Sequence, residues 1–227
     1  MHLNSSPTEL VTAATNIPLV LTALTAATCL WRWRRAHPLR AWLWIGMFGG
    51  LVIATGLGVF AHGLALDAAA KKLIWRPLNA GLGLTVACFV AGAVLDGWGT
   101  IAARRALPVL LALSAGFFAY TTLWANSFLP FIAYEAAAML FCLAVYVTLA
   151  ARRRLAGAGW MVVGVGITIL AAALQATPVA FRLGVTFDHN ALFHLVQLPG
   201  LVCLLAGVQI GLGQGPQKQA ILPLTIS

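Results

Sequence analysis

The chain has 227 residues, of which 61% are apolar and only 8% charged, and its mean hydropathy is +0.93. A water-soluble domain carries roughly 25% charged residues, so a water-solvated globular surface is excluded and an integral membrane protein is implied. The net charge of +9 does not point to nucleic acid, because the 14 Lys and Arg lie in short breaks between apolar segments or at their ends, where they act as topology determinants and headgroup anchors.

A helix needs about 20 apolar residues to span the hydrocarbon core. Seven such segments are predicted, at about 8–31, 41–65, 78–97, 106–125, 128–150, 157–178 and 188–212. The expected fold is therefore all-α, a seven-transmembrane helix bundle forming one domain over 1–212, with a flexible tail over 213–227. The N-terminal stretch lacks the basic region that opens a secretory signal, so the first apolar run is read as a retained helix.

Each boundary carries a mark. The first segment ends in Trp31, Trp33 and a cluster of arginines before Pro38. The second ends at Asp67 and Lys71-Lys72, and the next three at Arg104-Arg105, Asn126-Ser127 and Arg152 to Arg154. Pro178 and Arg182 precede the last segment. Gly46 with Gly50 in the second segment and Gly207 with Gly211 in the seventh form GxxxG pairs, which permit close backbone approach in lipid. Cys29, Cys88, Cys142 and Cys203 each fall in a separate apolar segment and read as small buried residues, without disulfide or zinc-knuckle spacing.

Arg32, Arg34, Arg35, Arg40, Arg104, Arg105, Arg152, Arg153, Arg154 and Lys218 fall on one side of the membrane in this arrangement, against Lys71, Lys72, Arg76 and Arg182 on the other. The positive-inside rule then predicts an external N-terminus and a cytoplasmic C-terminus. The expected location is the bacterial inner membrane.

Ionisable residues inside a membrane are costly and point to function. In the first segment Glu9, Thr12 and Asn16 share one helical face. The second presents Thr55, Gly58 and His62 at the same spacing, and Asn79 begins the third. Glu135 lies two turns into the fifth, and Gln175 one turn from the end of the sixth. The seventh opens with Asp188 and His189 and then presents Asn190, His194 and Gln197. Six of seven segments thus aim polar residues at the outer half of the membrane. Asp96 lies near the inner surface, with Arg104 expected to neutralise it.

These residues resemble a known group of proteins. The stretch from Glu9 through Asn16 to Pro18 resembles the first helix of the alkaline ceramidases, and His62 and the Asn190-x-x-x-His194 register resemble the second and seventh helices of the alkaline ceramidase and progestin/adiponectin-receptor superfamily. That resemblance implies a zinc ion held by three histidines and a water activated to cleave a lipid amide or ester. His62 and His194 occupy matching positions. The family's other histidine falls on Asn190, its serine on Gly58 and its aspartate near Leu73. His189 is offset from His194 by about 140° around the helix.

On this reading zinc is the cofactor, with His62, His189 and His194 as ligands and Asp67 or Asp188 as orienting or proton-carrying carboxylates. The alternative is a non-catalytic binding or accessory subunit on the same scaffold. A bis-histidine haem site at His62 and His194 is a weaker third option. A retinal protein is disfavoured because the seventh segment lacks lysine. The expected partner is membrane lipid, with a homo-oligomer or partner membrane subunit left open.

Overall fold

The computed structural model describes residues 2–123 and 129–213. The break at Asn126-Ser127, Lys218 and all but the first residue of the expected tail lie outside the described residues.

Among the described residues, six helices are long and apolar enough to cross a membrane. They are α1 (Pro7–Trp31), α2 (Pro38–Gly63), α3 (Ala68–Leu123), α4 (Leu129–Ala151), α5 (Ala158–Gln175) and α6 (His189–Gly213). Pro7 and Pro38 start α1 and α2, positions where the missing N–H would have no helical partner. Each helix packs on the next in the chain, and α1 packs on α6, so the bundle closes into a ring. We call the end at which α1 begins the near end, and the opposite one the far end.

The third predicted segment falls within α3, and so does the fourth up to Leu123, its last two residues lying outside the described ones. A straight helix of its 56 residues would measure about 84 Å, far more than a bilayer core of about 30 Å. It is not straight. Gly99 adopts φ +87°, ψ −178°, a conformation essentially confined to glycine, and divides α3 into two limbs. A Cβ on Gly83 would run into the Ser114 hydroxyl, two positions nearly equidistant from the break. The limbs therefore lie side by side as a hairpin.

Both GxxxG pairs are used within the bundle. A Cβ on Gly50 would come within 2.6 Å of the Gly81 carbonyl, and one on Gly46 within 2.9 Å of Cys88 Sγ, so α2 rests directly on α3. A Cβ on Gly207 would meet Met161 Sδ at 2.7 Å and the Gly157 carbonyl at 2.9 Å, and one on Gly211 would meet Arg40 Nη2 at 2.6 Å. All four cysteines are free thiols.

The core centres on Trp44, Phe48, Phe89 and Tyr146, each almost fully buried. Phe89 stands edge-on to Trp44 at 5.4 Å between ring centroids and 6.4 Å from Tyr146. Outward-facing Leu21, Ile53, Val109, Leu140, Leu170 and Val202 are exposed, a surface suited to lipid and not to water.

Two further elements cap the near end. The approach to α6 contains a hairpin of β1 (Phe181–Leu183) and β2 (Val185–Phe187), with Gly184 between them at φ +70°. The alternating Phe-Arg-Leu and Val-Thr-Phe flanking one glycine carry this signal, which helix-length hydropathy does not register. Leu3 bridges to Leu64, and the Asn4 N–H donates to the Gly63 carbonyl at 2.9 Å, so the N-terminal segment runs along the end of α2.

The far end holds an ion pair. Arg40 Nη2 donates to Asp96 Oδ2 at 3.1 Å, and the Tyr146 hydroxyl donates to the same oxygen at 3.2 Å. The expected partner of Asp96 was Arg104. Arg104 is exposed, whereas Arg40 reaches inward across Gly211, whose missing side chain leaves room for the guanidinium.

Candidate functional site

Enclosed by the ring, toward the near end, is a cavity of about 320 Å³. Its deep part is apolar and includes Leu19, Met47, Phe89, Leu201 and Leu204. Its head is polar and gathers Asn16, His62, Glu135, Gln175, His189, Asn190, His194 and Gln197. These residues were singled out by sequence, and they come from five helices. Two more of that set stand behind the lining: Glu9 contacts His62, and Asp188 contacts Thr12, whose carbonyl accepts from Asn16.

His62 sits in the last turn of α2. Its Nδ1 lies 2.7 Å from Glu9 Oε2, and Trp75 meets the ring edge-on at 6.0 Å. An ionised carboxylate can only accept, so Nδ1 carries a proton, and in the neutral imidazole Nε2 keeps a lone pair. Asn4 Nδ2 also donates to the His62 carbonyl at 3.0 Å, tying the N-terminal segment to this residue.

His194, in α6, is buried. Its Nδ1 lies 2.9 Å from Thr15 Oγ1. Thr15 spends its single hydroxyl proton on the Thr12 carbonyl at 3.0 Å. It therefore accepts from the imidazole, which fixes the proton on Nδ1 and again leaves Nε2 as an acceptor.

The start of α6 is tied to α1 by a carboxylate. Asp188 Oδ1 accepts the Ala191 N–H at 2.9 Å, as a helix-capping residue does, and also accepts the Thr12 hydroxyl at 2.9 Å. Asn16 Nδ2 donates to the Thr12 carbonyl at 3.2 Å. Its amide fills the space beside Gly58, where an added Cβ would lie 3.1 Å from Nδ2. Asn190 Oδ1 accepts from Gln175 Nε2 at 3.1 Å, a side-chain clasp between α5 and α6.

Gln197 and Glu135 are less well satisfied. Gln197 Nε2 donates to Thr168 Oγ1 at 3.1 Å, and Thr168 gives its own proton to the Gly164 carbonyl at 3.0 Å. Thr168 can then only accept, which sets the amide orientation. Gln197 Oε1 and Glu135 Oε2 remain buried with no hydrogen-bond partner.

Asp67 stands apart. It is exposed, and its Oδ1 accepts the Ala70 N–H at 2.7 Å. It caps α3 at the protein surface and does not line the cavity, which corrects the expectation of a site carboxylate there. Among the described residues, no three His, Cys, Asp or Glu side chains come together in a group able to hold a metal ion. Thr15 and Thr168 were not anticipated, since threonines in apolar helices commonly bond back to their own backbone. Only a search for the partners of His194 and Gln197 would have found them.

A family model matches residues 11–212, which covers the six helices except the first four residues of α1 and the last of α6, and every cavity-lining residue named above. The chain belongs to DUF6962, a family of unknown function. No curated protein and no solved structure matches it. The DUF6962 match begins two residues after Glu9 and ends one residue before the last of α6.

Proposed function

We propose that this DUF6962 protein is a seven-crossing membrane protein that binds an amphiphile within the bilayer, its polar group at His62 and His194 and its chain along the apolar depth of the cavity. Six apolar helices, one of them folded back at Gly99, support seven crossings. The far end gathers Arg32, Arg34, Arg35, Arg104, Arg105 and Arg152 to Arg154, which supports a cytoplasmic far end and an external N-terminus.

One observation carries the binding reading. Two imidazoles from distant parts of the chain are held by Nδ1, with Nε2 left as an acceptor, at the head of an otherwise apolar cavity. Cavities that take small molecules are mostly apolar with a few placed polar groups. The test is mass spectrometry of lipid retained by the protein purified in detergent. A defined amphiphile is expected from the wild type, with strongly reduced retention in His62→Ala and His194→Ala. Equal retention in all three would sink the proposal.

A second reading keeps ceramidase-like hydrolysis of a lipid amide or ester. It is favoured by the same Nδ1 engagement, a carboxylate at His62 and a hydroxyl at His194, since metal-ligating histidines are oriented in that manner. His189 would have to join the pair as third ligand. Near-stoichiometric zinc in purified protein, lost in His194→Ala, together with release of fatty acid from a labelled ceramide, is the outcome this reading requires.

A further inference from the structure

The histidine pair leaves part of the cavity unexplained. Among the described residues, seven buried side-chain polar atoms lack a partner, and the two that belong to cavity-lining residues are Glu135 Oε2 and Gln197 Oε1. Their side chains come from α4 and α6, and the residues are 9% and 6% exposed. A buried polar atom left unpaired costs on the order of 1–3 kcal/mol, so two in one cavity call for a group that satisfies them.

Both atoms are oxygens. Gln197 Oε1 can only accept, because Thr168 fixes its amide orientation, and Glu135 Oε2 accepts when a cation beside it keeps the carboxylate ionised. In the neutral Nδ1–H tautomers, the Nε2 atoms of His62 and His194 are acceptors as well. No Lys or Arg lines the cavity, so no protein cation faces the Glu135 oxygen. An anionic headgroup would meet lone pairs on several sides and no countercharge. A donor-rich cation meets the reverse.

We infer that Glu135 and Gln197 form an acceptor subsite for an ammonium or similar N–H-donating group, so that the bound amphiphile carries an amine. The inference rests on the binding reading given above and adds to it the sign and hydrogen-bonding sense of the ligand. Gln197 follows His194 by three residues on α6, which sets the subsite about 4.5 Å deeper along the helix. The amine thus sits between the imidazoles and the apolar depth, and is shielded from water.

The experiment measures thermal unfolding of the purified full chain in detergent with dodecylamine, dodecanoic acid, dodecyltrimethylammonium, calcium chloride or zinc chloride. Dodecylamine is expected to raise the midpoint. Dodecanoic acid, and dodecyltrimethylammonium, which has the charge but no N–H, should bind about tenfold or more weakly, the loss expected for hydrogen bonds to a charged group. Glu135→Leu should raise the midpoint of the ligand-free protein, because an orphan acceptor is replaced by an apolar side chain, and should abolish the preference for the amine. Gln197→Leu should weaken dodecylamine about tenfold. If Glu135→Leu does not fold, Glu135→Gln is read in its place and should lose the same preference.

Equal binding of dodecanoic acid, or an amine preference that survives substitution of Glu135, would overturn the subsite while leaving the binding reading intact. A midpoint raised by either metal salt and not by dodecylamine would transfer the oxygens to a metal ion and overturn it too. Failure of every amphiphile to bind would overturn the subsite and the binding reading together.

Discussion

The two ends of the bundle treat buried polarity in opposite ways. At the far end, Asp96 is closed by Arg40 and Tyr146, three side chains from three helices meeting on one oxygen. Among the described residues, the buried side-chain atoms left unpaired there are N–H: the Arg40 Nε and the indoles of Trp33, Trp44 and Trp98. At the near end the unpaired atoms that face the cavity are oxygens, beside two imidazoles with free Nε2 atoms. A carboxylate neutralised from within is a fastener. One left open toward a cavity is, on the proposed reading, where a bound group would be received. Between them lies the aromatic layer of Trp44, Phe89 and Tyr146, which separates the cavity from the ion pair. This contrast, more than the number of polar residues, marks the near end as the functional one.

The sharpest way to break the contrast is to remove one partner of the far-end pair. Asp96→Ala leaves the Arg40 guanidinium buried without its carboxylate, and removal of one member of a buried pair costs about 3–5 kcal/mol. A large fall in the thermal unfolding midpoint is expected, whereas the double variant Arg40→Met with Asp96→Leu should recover much of it. A fall in the double variant as large as in Asp96→Ala would show that the pair is not a closed unit.

Gly157 comes next. It holds φ +83°, and a Cβ there would run into the Gly207 carbonyl. Gly157→Ala is expected to destabilise by about 2 kcal/mol, from strained backbone and overpacking combined, without altering ligand retention at the near end.

The near end should respond more softly. A double-mutant cycle on Glu9→Gln and His62→Gln is expected to give a coupling of about 1 kcal/mol, since Glu9 is a third exposed at its side chain. Ligand retention should fall further than that stability change explains. Asp67→Ala is the mildest: loss of a helix cap, about 1 kcal/mol, with retention unchanged. An effect of Asp67→Ala on retention would return that carboxylate to the site.

Much of this was legible in the sequence. Membrane class follows from hydropathy alone, and the polar cavity head was found by asking which polar residues share a depth. That question works because helices fix depth by residue count, so Glu135, Gln175 and Gln197 could be placed without knowing their neighbours. Rotation around each helix is set by packing, which depth does not encode. Asp67 illustrates the failure: its position along the chain suited the site, but it lies just before α3 and faces solvent as a cap. Arg40 illustrates another. A long side chain can leave the membrane surface and reach an inward carboxylate, so the nearest arginine in sequence was the wrong partner for Asp96. The β1–β2 hairpin was hidden because three-residue strands leave no trace in a window sized for a transmembrane helix.

The bare face of Gly58 has a reach beyond its own contact. A methyl group there would have to displace the Asn16 amide by a few tenths of an ångström, and that amide leans on the carbonyl of Thr12. The same carbonyl takes the proton of Thr15, which holds the His194 ring, while the Thr12 side chain grips Asp188 at the mouth of α6. A single carbon added to α2 would therefore be transmitted as a nudge, through α1, to an imidazole and a helix start on the far side of the cavity. Position 58 is a tuning screw for ring orientation, and it turns through the Asn16 amide.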